Sequence, residues 1–598
     1  MSTEKVLSPG VFINEIDKSY IPSAPIAVGA AIIGPTVKGP AMVPINVSSY
    51  GEFVQIFGDT FKSGSGYYQF LTSHTAEHYL KHSGKLTVIR TLAGSYTGAT
   101  ARVPINGSTV GAAYQNITSA SFTLNTISDG AIMNSSSSLK TDNLLDSGSA
   151  HNIQWEISNR NNSKGTFSLL IRKGDDRNNR KQILESWSNL TLDPNSNNYI
   201  SKIIGDQDAT IGGSGTTDVY LTYTGSYANS SKYVWVSGVK TTIDYLDENG
   251  NVRLASLSAS LPNVGSGSFA GGTNGYCGTT VAPGGFTFTA SSNNFYENIN
   301  STNTQGFDMG TGDNGKTSYE DAIYMLANSD EYNINLLMIP GLIDGEANHN
   351  AVVTKAIEMV EGRGDCFLLV DPVIHNSSIT TVTTEAATRN SSYTAMYWPW
   401  LKIADNALGK NVNVPASVVI PGVFAFNDKI AHPWFVPGGL NRGGLDVVGI
   451  ERKLRQSNRD DLYDANVNPI ASFPGQGISV WGQKTLQKKA SALDRINVRR
   501  LLIFVKKFIT NVSRTIEFEP NSIATRNRFL NIVNPFLEQI KANEGLNEFR
   551  VIMDDTNNPP ELQDRNILYG QVVLNPTRSI EFILLDFSVE PTGANFDS

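Results

Sequence analysis

The sequence predicts a multidomain α/β plus β protein: a mixed α/β core interrupted by β-rich insertions, and an α+β C-terminal domain with extended terminal strand arms. Three observations predict it. Strands alternate with helices over 21–95 and again from 316; the stretch between shifts to Gly, Ser, Asn and Thr; and the C-terminal part mixes amphipathic helices with β-prone runs. At 598 residues the chain exceeds one core, and 53 glycines with only 17% charged residues argue against a helical bundle.

In chain order, 1–20 reads as an extended arm, because Pro9 and Gly10 break any helix and Val11, Ile13 and Glu15 alternate only briefly. Over 21–95 come an apolar strand at 26–34, a helix at 50–58, a helix around 67–84 and a strand at 85–92. The β-rich insertion spans 96–315, with pieces such as KYVWVSGV at 232–239. The pattern resumes with a helix at 318–328, a strand at 333–341, a helix at 346–361 and a strand at 365–371. Residues 396–470, with MYWPWLKI, VVIPGVFAF and HPWFVPGGLNRGG, read as a loop-rich connector. A basic helix follows, then a helix at 521–543 carrying Pro535, and strands at 549–554, 568–575 and 579–589. The expected organisation is an arm at 1–20, a core from 21–95 plus 316–395, the insertion at 96–315, a C-terminal domain at 396–575 and an arm at 576–598.

Two cysteines, Cys277 and Cys366, are too few for a disulfide framework and suit a reducing cytoplasm. The N-terminus lacks an apolar core behind a basic region, and no run approaches the ~18 apolar residues of a membrane span. A soluble chain without a membrane partner is expected.

Residues 473–530 stand apart. They hold eleven basic residues against Asp494, Glu517 and Glu519, while the whole chain carries −8. Such a concentration suits an anionic partner. On a helix over 493–514, at about 100° per residue, Arg495, Arg499, Arg500, Lys506, Lys507 and Arg514 fall within roughly 140°, opposite Leu501, Leu502, Phe504, Val505, Phe508, Ile509 and Val512. Ile496 and Ile503 are exceptions, lying among the basic residues. The expectation is a basic face turned outward. Nucleic acid could match it, but no zinc finger, RNP-type sequence or aromatic-interleaved groove supports that partner, and the chain is acidic overall.

Two short motifs suggest chemistry. Gly310, Gly315, Lys316 and Thr317 in GTGDNGKT satisfy a phosphate-loop pattern, with Asp371 in FLLVD as a magnesium-site candidate, and a P-loop NTPase is the alternative reading. A P-loop must leave a hydrophobic strand, and the residues before Gly310 are polar and turn-like. His74, Glu77 and His78 spell HxxEH, with His82 one turn on, but a lone helix supplies no third zinc ligand. Half-buried or exposed helix histidines are the expectation, and no Ser/His/Asp or Cys/His set stands out. No enzyme, metal or cofactor is expected.

The arm SPGVFINEID (8–17), IGPTVKGP (33–40), the strand ending LTVIRTL, FPGQGISVWGQKTL before the RRLLIFVKKFI helix, and the tail DDTNNPPELQDRNILYGQVVLNP and IEFILLDF resemble contractile tail sheath proteins of myophages. The resemblance implies a structural subunit, stacked as six-fold helical rings around a tail tube, that contracts on a baseplate trigger to drive the tube through the host envelope. It implies neighbouring copies, tube, baseplate and tail terminator as partners, a place in the phage tail, and assembly in the host bacterial cytoplasm. A sheath of a phage-derived injection device is the nearest variant. It further implies that terminal arms add strands to a neighbour's sheet, here Val11, Phe12, Ile13, Asn14 and Glu15, and Ile580, Glu581, Phe582, Ile583, Leu584, Leu585, Asp586 and Phe587. Lys488, Lys489, Arg495, Arg499, Arg500, Lys506 and Lys507 would face the tube.

Overall fold

The computed structural model describes residues 28–63, 66–106, 119–135, 148–177, 179–275, 296–310 and 314–581. The expected strand residues Val11 to Glu15 and Phe582 to Phe587 lie outside these. The architecture is mixed α/β with many sheets.

An eight-stranded sheet forms the centre. Its strands are β1 (Gly29–Gly34), β2 (Ile45–Val47), β3 (Leu86–Arg90), β4 (Ile334–Ile343), β5 (Phe367–Asp371), β6 (Thr394–Trp398), β7 (Val467–Phe473) and β8 (Gly477–Val480), in the order β2-β3-β1-β4-β5-β6-β7-β8. The six inner strands run parallel, as Ala30 opposite Leu86 and Leu336 opposite Phe367 exemplify, and both edge strands are antiparallel. Strands such as GAAIIG and LTVIR are apolar throughout because both faces of the sheet are covered. Ala30, Ile32, Leu86 and Val88 pack with α1 (Tyr50–Phe57) and α2 (Leu71–Leu80), whereas Ala31, Ile33 and Ile89 pack with α3 (Asn314–Met325) and α4 (Ala347–Arg363). Helix α5 (Ile379–Ala386) joins the second face and α6 (Ile420–Ile430) the first.

Two elements depart from the sequence reading. IPGVFAF, expected in a loop-rich connector, is the start of the buried helix α6. Pro421 sits in its first turn, where a missing N–H breaks no bond. Gly422 lets this helix approach α2, since a Cβ there would stand 2.8 Å from the His78 carbonyl oxygen. Secondly, β7 and β8 complete the central sheet, so the segment up to Val480 packs with the core and no sheet edge falls near the expected boundary at 395.

The insertion builds two four-stranded sheets, one from Tyr96–Pro104, Ala120–Asp129, Val234–Ser237 and Thr273–Asn274, the other from Ile153–Asn161, Thr166–Lys173, Ile183–Leu190 and Gly265–Gly267. They share one apolar core, with Phe122 and Phe167 rings stacked at 5.7 Å. At the C-terminal end, α7 (Ile496–Arg514) and α8 (Ile523–Ala542) pack together around Leu501, Val505, Phe529 and Val533, beside a two-stranded antiparallel sheet of β9 (Leu546–Ile552) and β10 (Gln571–Pro576). Helix α8 runs on through Pro535.

Candidate functional site

Helix α7 is where the sequence concentrates its charge, and the structure buries the larger part of that charge within the chain. Leu501, Val505 and Val512 point to α8, as expected. Ile496 and Ile503, which interrupt the basic arc, pack into the core of the central sheet. The basic side of α7 is therefore a second packed side.

Its contacts follow the N-terminal ends of three neighbouring parallel strands. Lys507 donates to Asn333 Oδ1 at 2.9 Å and to the carbonyl of Ile334, the first residue of β4, and lies 3.3 Å from Asp365, just before β5. Arg499 donates to Ser392 Oγ at 2.5 Å and stacks over the Tyr393 ring at 4.0 Å, just before β6. Arg500 pairs with Asp428 on α6 at 2.5 Å and covers the Phe424 ring at 4.7 Å. Arg514 pairs with Asp330 at the helix end. Burial pulls the Lys507 ammonium pKa below its ordinary range, against the opposing pull of Asp365, and likewise lowers that of Arg499, against Tyr393. A buried charge is costly unless paired and hydrogen-bonded. Arg500 and Lys507 have carboxylate partners, whereas Arg499 has the Ser392 hydroxyl and the Tyr393 ring. Arg499 Nε and Arg500 Nη1 are buried with no hydrogen-bond partner among the described residues.

The expected outward basic face is thus corrected. Arg499 and Arg500 are 5% and 7% exposed, and Lys507 is half-buried. Arg495 holds Glu581 through two hydrogen bonds of 2.6 and 3.0 Å, and Gln483 and Tyr463 also donate to that carboxylate. Of the expected tube-facing set, Lys488, Lys489 and Lys506 are exposed. Among the expected arm residues, Ile580 is 83% exposed, whereas the Glu581 side chain is engaged by its own chain. The missed signal was in the sequence: two isoleucines inside a charged arc mark a face that packs.

The β9–β10 sheet offers a different surface. It has two strands, each paired on one side only among the described residues, so two outer edges present backbone donors and acceptors.

The chemical motifs do not form sites. Before Gly310 stands Phe307–Asp308, one strand of a two-residue antiparallel pair, and no strand of the central sheet leads into the loop. At two carboxyl ends of the parallel strands, where open α/β sheets take ligands, the terminal side chains are engaged by the chain itself. Asp371, at the end of β5, accepts hydrogen bonds from Ser417 N at 3.0 Å and Ser417 Oγ at 2.5 Å, and burial pushes it up to about 6 against those bonds. Arg90, at the end of β3, donates to the carbonyls of Gly39 at 2.5 Å and Asp129 at 2.8 Å. Of the helix histidines, His78 and His82 are half-buried as expected, and His74 is more buried than that. His74 is 3% exposed, 3.1 Å from the Tyr296 hydroxyl and 3.6 Å from Asp405. His78 is driven down to about 4 by burial, and His82 lies beyond the helix against Phe426. Among the described residues, no three His, Cys, Asp or Glu side chains group as metal ligands, and no helix is long and apolar enough to cross a membrane.

Comparison with known proteins matches residues 312–486 to the phage tail sheath protein central domain and residues 488–590 to the phage tail sheath C-terminal domain. The tail sheath protein of Vibrio phage KVP40 is 40% identical over 190 residues, and that of Enterobacteria phage T4 is 39% identical over 185 residues. Each match covers 31% of this chain and 28% of the relative's length. The crystal structure of a sheath tail protein from Listeria innocua shares the fold at a TM-score of 0.50 and 9% identity, over 89% of this chain and 90% of that one.

Proposed function

We propose, on the premise that this chain carries the central and C-terminal domains of the phage tail sheath family, that it is a structural subunit of a contractile tail sheath. The observation that carries this reading is the consecutive match of both domains over 312–486 and 488–590. The subunit polymerises as six-fold helical rings around a tail tube and contracts on a baseplate trigger, driving the tube through the host envelope without catalysis. Its partners are neighbouring copies, the tube, the baseplate and a terminator; it resides in the virion and assembles in the host bacterial cytoplasm.

The open edges of β9 and β10 support strand addition between copies, with Val11 to Glu15 and Ile580 to Phe587 as the donated segments. Rigid-body rotation needs links that bend and bodies that do not. The seam along α7 supplies a rigid body, because it ties the C-terminal helices to the central sheet at several places along α7. Tube contact then falls to the exposed Lys488, Lys489 and Lys506, whose charges are screened by salt and individually worth about 0–1 kcal/mol, which suits a releasable grip.

Electron microscopy of the purified protein tests the reading. Tubes or stacked rings are expected on raising concentration or salt; a chain that stays monomeric under every condition, and in the presence of tail tubes, is not a sheath subunit.

A further inference from the structure

A cleft of about 350 Å³ lies where the end of α1 and the loop after β1 meet the sheets of the insertion. Lys38 and Asp59 line it from the core side, and His151, Lys173 and Tyr233 from the insertion. Three polar contacts are made around it. Gln55 donates to the Tyr233 hydroxyl at 2.9 Å, His151 Nε2 lies 2.6 Å from the Thr60 carbonyl, and Asp59 accepts from Thr60 N at 2.7 Å.

The cations are not matched in the same way. Among the described residues the Lys38 ammonium has no hydrogen-bond acceptor and no carboxylate within ion-pair distance, although most of its side chain is buried. Lys173 has Asp175 at 3.8 Å, at the outer limit of an ion pair. Burial, and then the neighbouring Lys173 charge, bring Lys38 down to about 8 against the weaker pull of Asp59. Two ammonium groups line one cavity, and Lys38, which is half-buried, has no acceptor of its own among the described residues; an anion shared by the two lysines would supply one.

We propose that this cleft binds a small oxyanion of the sulfate or phosphate type between Lys38 and Lys173, bridging the α/β core and the β-rich insertion. The ligand would supply the missing acceptors to both ammonium groups and bind one wall of the cleft to the other. It would hold the insertion in a fixed orientation on the core.

The test is a titration of the purified full chain with sodium sulfate at constant ionic strength, followed by calorimetry and by thermal unfolding. Saturable binding is expected, as distinct from the unsaturated stabilisation that sulfate gives proteins by exclusion. Lys38→Met and Lys173→Met should each weaken it about ten-fold or more, the size of one lost charge-assisted contact. In sulfate-free buffer Lys38→Met should unfold at the same or a higher temperature than the native chain, because it removes a half-buried charge that burial and the neighbouring Lys173 disfavour. Absence of saturable binding to the native chain, or binding by either variant as tight as that of the native chain, overturns the proposal. So does a Lys38→Met chain that melts earlier without sulfate, since that marks a lysine already paired within the protein.

Discussion

Arg500 and Asp428 meet at 2.5 Å across the junction between α7 and α6, with the arginine side chain 8% exposed and the aspartate 28%. The pair stands where a helix of the C-terminal part crosses a helix of the central core, on top of the Phe424 ring. Its two members are distant in sequence and belong to different layers, so the contact reports on how those layers are joined.

Arg500→Ala is expected to lower stability by about 1–3 kcal/mol, through a lost charged hydrogen bond and lost cover over Phe424. Asp428→Ala should cost at least as much, because it strands the buried guanidinium without its carboxylate, whereas Arg500→Ala leaves a partly exposed aspartate. Chemical unfolding of the two single variants and the double variant measures the coupling, expected at about 1 kcal/mol; additivity would mean that the pair contributes nothing beyond its separate contacts.

Buried and exposed basic residues should behave differently on charge reversal. Lys488, Lys489 and Lys506 changed together to Glu are expected to leave the melting temperature within about 2 °C of native, as surface changes usually do, and to abolish sheathing of tail tubes. Arg499→Glu and Lys507→Glu should instead destabilise the isolated chain, by bringing a second acid to Asp365 or stranding one beside Ser392. Normal sheathing by the triple lysine variant would remove these lysines from the tube interface.

Removal of residues 1–20, or truncation after Glu581, is expected to give folded subunits that do not remain linked. The second truncation preserves the Arg495 pair, so its melting temperature should match native. Intact contractile tubes from either chain, seen by electron microscopy, would refute strand exchange through that arm.

Acid should weaken the fold through its buried histidines. His78 and His349 are lowered by burial from 6.5 to about 4, so the unfolded chain binds more protons in that interval. Their contribution is complete above 6.5 and is lost as the pH falls through 4, on the order of 2–3 kcal/mol each. Asp129 and Asp371, raised by burial to about 6, work oppositely, favouring the fold at low pH and less as the pH rises through 6. Comparison with His78→Gln isolates one histidine: the variant should gain on the native chain as the pH falls from 6.5 to 4. A constant difference across that interval would show that His78 titrates normally.

Calorimetry with ATP and magnesium should give no binding heat. Lys316→Ala should change nothing, because the two-residue strand before the loop at Gly310 lies outside the central sheet.

The sequence made the central sheet legible where both faces are covered, since GAAIIG, LTVIR and FLLVD are uniformly apolar and flanked by helix patterns. It misled where Pro and Gly occurred inside a helix, as at Pro421 and Gly422, because a first-turn proline and a close helix crossing use the same residues as a loop. The basic face of α7 was found correctly as a face, but a helical projection contains no partner. Asp330, Asp365 and Asp428 lie well upstream, and only the fold brings them under the helix. The lysines of the cleft were invisible for the same reason: Lys38 and Lys173 come from the core and the insertion.

The order of strands in the central sheet has a consequence for biosynthesis. β3 leaves the ribosome long before β4, yet β1 must sit between them. β1, β2 and β3 can pair with one another early, but the edge of β1 that faces β4 must wait, apolar and open, while the whole insertion is translated. That insertion has its own two sheets and its own core, so it can fold as a unit in the interval. The nascent chain then has a folded outer module before it has a centre, and a chaperone would be needed earliest at residues 29–90.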